Sequence, residues 1–128
     1  MAATNLHLPA WLVFDGDPDG VEVDATAART RAGLFDALTA TLALPDHFGR
    51  NWDALADVLA DRLDAGPLTL RIRDAGLLLA DEPPAQLGTL LDVFGGVAAG
   101  GHHALRVVLH EHPGRRAALR QRITAALT

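Results

Sequence analysis

Cysteine is missing from all 128 residues. With it go disulfide staples, thiolate metal sites and thiol nucleophiles, and a chain without them suits a reducing compartment. Long apolar runs are missing too: no stretch approaches the roughly 18 apolar residues of a membrane span. The opening MAATNLHLPAWLVFDG lacks a basic segment followed by a long apolar one, so no standard export signal is expected. These absences lead to the expectation of a cytoplasmic protein with no membrane partner. Basic residues are the minority, 11 against 16 acidic, for a formal net charge of -5. That balance disfavours direct binding of nucleic acid and favours a basic partner. Neither a G-x-S-x-G nor a Walker sequence occurs, so no nucleophile or nucleotide site is marked.

What is present organises as one domain over 1–128. At this size about 70% of the surface of the unfolded chain can be buried, enough for a core without staples. Trp11 to Phe14 reads as a short strand ending at the turn formers DGDPDG, while the stretch on to about Arg31 carries no clear period. Leu34, Phe35, Leu38 and Leu42 share one side of a 3.6-residue period and predict a helix. Asn51 stands as an N-cap before Trp52, Leu55, Leu59 and Leu63, a second helix over 51–63 stopped by Gly66 and Pro67. LTLRIR alternates as a half-exposed strand, and Leu77 to Ala80 is an unassigned apolar piece. Pro83 and Pro84 open a helix with Leu87, Leu90, Leu91, Phe94 and Val97 on one face, ended by Gly100 and Gly101. ALRVVLH is a third strand, and Arg115 to Leu127 a terminal helix. Strands separated by helices predict an α/β fold, a small three-stranded parallel sheet flanked by helices.

The helix of 51–63 carries the chemistry. Asp53, Asp57 and Asp61 are spaced i, i+4, i+8 and line up along one side, joined by Asp64, opposite Leu55, Leu59 and Trp52. Like charges four apart cost about 0.2–0.5 kcal/mol per pair, and aspartate is a poor helix former. Asp53 suits the helix dipole in the first turn, but Asp61 lies near the end where negative charge is disfavoured. Carboxylates stacked on a rigid element can grip cations or mimic the phosphates of a nucleic acid. From the residues alone, an ordinary solvated face and a binding site both stay open.

The run LALPDHFGRNWDALADVLADRL, residues 42–63, resembles the signature region of the barstar family, inhibitors of barnase-type ribonucleases. It has the leucine-proline start, the aromatic and glycine of the loop, the asparagine opening the helix, and two aspartates four apart with leucines between. LLDVFGG followed by LRVVLH resembles the family's closing helix and strand, so the likeness covers most of 11–111 and leaves the terminal helix (115–127) as an addition. The resemblance implies a barstar-like fold and a protein that is not an enzyme, is a monomer when free and needs no cofactor. Its implied function is to block the active site of a basic ribonuclease stoichiometrically, as an antidote or immunity protein. It further implies a partner-binding set of His47, Phe48, Asn51, Trp52, Asp53 and Asp57, with Asp57 in the place of a substrate phosphate and Asp61 contributing alongside. His47 replaces an aromatic contact, Phe48 a tyrosine, Ala56 a tryptophan and Gly96 a glutamate that meets the nuclease. The alternative reading is a barstar-like scaffold turned to another protein contact.

Three other signals weigh less. Asp15, Asp17, Asp19 and Gly20 match the first half of a calcium loop, but the twelfth position is Thr26 instead of glutamate and a strand-like run replaces the entering helix. His110 and His112 lie two apart near His102 and His103, yet no third metal ligand is marked; no metal site is expected. Asp53 and Asp57 as an acid and base pair lack a pocket to exclude water.

Overall fold

The computed structural model describes residues 8–15, 19–44 and 49–127. The alternation in LTLRIR produces a central strand, β3 (Leu68–Arg73), whose Leu68, Leu70 and Ile72 are buried while Thr69, Arg71 and Arg73 turn the other way. It pairs on one side with β4 (Leu105–Leu109) and on the other with β2 (Val21–Asp24), and β4 pairs in turn with β1 (Leu12–Phe14). All three pairings are parallel, and the order is β1-β4-β3-β2.

The sheet therefore has four strands where the sequence predicts three. The extra one is β2, a four-residue edge strand with only two apolar side chains, Val21 and Val23. Its other residues are charged and lie alongside the arginines of β3: Arg71 meets Glu22 at 3.3 Å, and Arg73 meets Asp24 at 2.7 Å. Cross-strand ion pairs of this kind add to the ladder without contributing a hydrophobic period. Asp24 also accepts from the hydroxyl and amide of Thr26. Those two bonds, with Arg73, hold its carboxyl at about 2, below its ordinary 3.8. Gly20, just before β2, has φ of +134°, and a Cβ there would come within 2.8 Å of the Thr69 carbonyl oxygen. Only glycine fits so close a backbone approach at positive φ.

Four helices contribute to a single buried cluster with the apolar side of the sheet. α1 (Arg31–Leu42) begins three residues before its apolar period. Thr30 caps it by accepting from the Gly33 amide at 3.0 Å, and Glu82, distant in sequence, accepts from the Arg31 amide at 2.8 Å. α2 (Trp52–Ala65) follows, and α3 (Pro84–Gly100) has Pro84 in its first turn, where the missing N–H costs nothing. The apolar piece before α3 becomes a 3-10 turn at Ala75–Leu77 followed by the fully buried Leu78 and Leu79.

The terminal helix α4 (Arg116–Leu127) docks on the core, burying Leu119 and Ile123. Its arginines fasten it to the carboxyl end of the sheet. Arg116 pairs with Asp15, Arg120 lies 4.5 Å over the ring of Phe14, and Arg122 donates to the Gly76 carbonyl at 3.4 Å. Partial burial pushes the Arg122 pKa down from its ordinary value. No helix among the described residues is long and apolar enough to cross a membrane.

Candidate binding face

α2 is held rigidly from both ends. At its start the Asn51 side chain accepts from the Ala54 amide at 2.8 Å, occupying one of the four amides that a helix leaves open. At its end Arg62 reaches the carbonyls of Gly66 and Pro67 at 3.2 and 3.5 Å. A cation there suits the negative end of the helix dipole, where Asp61 is disfavoured. Between them Leu55, Leu59 and Leu63 are completely buried.

Trp52 is half-buried, and its ring meets Phe35 of α1 edge-on, with centroids 5.4 Å apart and planes at 67°. The side chain thus packs toward the core while part of its surface stays open. Just before the cap, Arg50 pairs with Asp36 of α1 at 2.7 Å, tying the start of α2 to the neighbouring helix.

Asp53, Asp57 and Asp61 are all exposed, on the side of α2 away from its leucines. Among the described residues none of the three has a hydrogen bond or an ion pair. Asp64 differs from them, lying 3.3 Å from the ring of His102. His47 and Phe48, the loop members of the expected set, lie outside the described residues, and so do Asp46 and Pro45.

A groove of about 360 Å³ runs between α2 and α3, lined by Ala56, Asp57 and Ala60 on one side and by Asp92, Val93, Gly96, Val97 and Gly100 on the other. Gly96 is therefore on the same surface as the acidic helix, and a Cβ added to it would meet nothing within 4 Å. Asp92 is the acidic residue that the sequence reading missed. Its spacing was the available signal: it stands four residues before Gly96, one helical turn away on the same face.

The weaker signals resolve into separate structural tasks. His112 caps a 3-10 turn, its Nδ1 accepting from the Gly114 amide at 3.1 Å. His103 Nδ1 lies 2.6 Å from the Leu63 carbonyl, to which it donates, and His110 sits 3.7 Å from Asp15. Asp17 of the calcium-like string lies outside the described residues, and Asp15 is engaged by Arg116. Among the described residues no three His, Asp or Glu side chains are grouped to hold a metal ion. Asp53 and Asp57, the acid and base candidates, are both exposed on α2.

Comparison with known proteins adds one finding. A family model described as Barstar (barnase inhibitor) matches residues 19–110. The match takes in β2, α1, α2, β3, α3 and β4, and stops before α4. No curated protein matches the chain.

Proposed function

The chain belongs to the barstar family, and from that premise we propose that it is a stoichiometric inhibitor of a basic, barnase-like ribonuclease, acting without turnover. The observation that carries this reading is the row of Asp53, Asp57 and Asp61, exposed on a capped helix and without partners among the described residues. A ribonuclease must present arginine and lysine donors to hold phosphate, and carboxylates satisfy the same donors. Asp57 takes the central place, Asp53 and Asp61 flank it, and Asn51 and Trp52 form the upper edge of the contact. His47 and Phe48 extend the contact into the preceding loop, on the strength of the family resemblance. Opposite charges also speed encounter and make it sensitive to salt; the barnase–barstar pair is itself a reference case for such steering.

In this reading the protein is a cytoplasmic monomer that protects against the nuclease as an antidote or immunity protein. A second reading, a scaffold turned to another protein contact, is favoured by one observation. The exposed Gly96 carries no carboxylate where the resemblance places a glutamate.

Calorimetric titration of Asp57→Ala against a barnase-type ribonuclease tests the assignment. Removing a buried charged anchor costs about 2–5 kcal/mol of binding by leaving the partner's cations unpaired. Glu22→Gln is the suitable control, because Glu22 pairs with Arg71 of β3, away from the acidic helix. Equal losses in the two variants would remove α2 as the site.

A further inference from the structure

Most of the described acidic residues have a partner within the chain. Asp15 pairs with Arg116, Glu22 with Arg71, Asp24 with Arg73, Asp36 with Arg50 and Asp81 with Arg29. Glu82 and Glu111 accept from backbone amides, and Asp64 lies beside His102. Among the described residues the carboxylates left without such a partner are Asp53, Asp57 and Asp61 on α2, Asp92 on α3, and Asp74 at the end of β3. Two of these carboxylates without a partner, Asp57 and Asp92, stand on opposite walls of one groove.

We propose that this groove receives a long cationic side chain of the partner ribonuclease, an arginine or lysine, with its charge between Asp57 and Asp92. The inference rests on the reading of α2 as the inhibitory face and names what part of that face grips. Charge complementarity supplies the occupant: two carboxylates in one opening call for a cation, and a guanidinium can donate to both. Space supplies the fit. Four of the lining residues are small, Ala56 and Ala60 on α2 and Gly96 and Gly100 on α3, and nothing stands within 4 Å of a Cβ built on Gly96.

The methylenes of an arginine or lysine cover apolar surface while the charged head seeks its counter-ions. Val93 and Val97 complete such a surface here. Asp92 then provides the α3 carboxylate that Gly96 lacks, moved one turn along the helix, and Ala56 leaves open the room that a tryptophan would fill.

The test is calorimetric titration of wild type, Asp92→Asn, Asp92→Glu, Gly96→Phe and Glu22→Gln into a panel of barnase-type ribonucleases. Asp92→Asn is expected to weaken binding roughly tenfold and to flatten its salt dependence. Asp92→Glu, which keeps the charge, is expected to restore most of both. Gly96→Phe fills the groove and is expected to weaken binding by a similar factor. Its urea midpoint should not fall, because the new side chain enters open space and phenylalanine suits a helix better than glycine. Glu22→Gln is expected to match wild type. If wild type binds and both Asp92→Asn and Gly96→Phe bind equally well, the groove is empty in the complex and this inference fails while the inhibitor reading stands. If wild type binds no member of the panel, the inhibitor reading fails and takes this inference with it.

Discussion

Replacing Trp52 by alanine separates the two roles given to that residue. Its ring is half-buried and meets Phe35 edge-on at 5.4 Å. Truncating a fully buried aromatic costs about 3–5 kcal/mol; half-burial brings that to roughly 2 kcal/mol on the same scale. The ring pair adds about 0.5–1.5 kcal/mol. The expected loss of folding stability is therefore about 2.5–3.5 kcal/mol. With a urea slope of about 1–3 kcal/mol per molar for a small domain, the midpoint should fall by roughly 1 M. Far-UV circular dichroism is the suitable readout, since fluorescence would lose one of the chain's two tryptophans. Trp52→Phe should recover much of the loss. A midpoint within roughly 0.3 M of wild type would refute the packing account and leave Trp52 as a partner contact alone.

Ile123→Ala tests whether α4 belongs to the folded core. The side chain is buried to 1% exposure, so the variant should lose about 2–5 kcal/mol by denaturant unfolding, whereas a loss below roughly 1 kcal/mol would mean that the helix rests loosely on the rest. Asp24 gives the pH dependence. Its folded pKa of about 2 lies below the ordinary 3.8, so its contribution is present above about 4 and disappears as pH falls through about 2. Carboxyl NMR should find that low midpoint, and Thr26→Val should raise it more than Arg73→Gln, because the Thr26 hydroxyl is the largest cause; no upward movement in either variant would overturn the assignment.

Legibility in the sequence followed the range of the forces involved. α2 could be read in full, because its cap, its leucine period and its Gly66–Pro67 stop are all local, and the outward row of aspartates came with it. β2 could not, since two valines make no period and its partners in β3, backbone and arginines alike, lie almost fifty residues away. The start of α1 was hidden for a similar reason: one of the groups holding it, Glu82, belongs to the segment before α3. The acidic row was legible as a candidate site, but the groove beside it was not. That groove exists only once α3 packs along α2, and small residues such as Ala60 and Gly96 give no signal until two helices meet. Trp52 was readable as both core and contact; its placement against Phe35 shows the core half, while part of the ring stays open.

In the proposed function, the acidic face of α2 stops a ribonuclease by occupying its phosphate-binding groove. Titrating the protein into an assay of a barnase-type ribonuclease, with Asp57→Ala alongside and the salt concentration varied, tests it most directly. Inhibition should saturate near one inhibitor per enzyme and weaken both with salt and with the substitution. Activity unchanged at excess inhibitor across several such enzymes, or inhibition indifferent to Asp57→Ala, would contradict it.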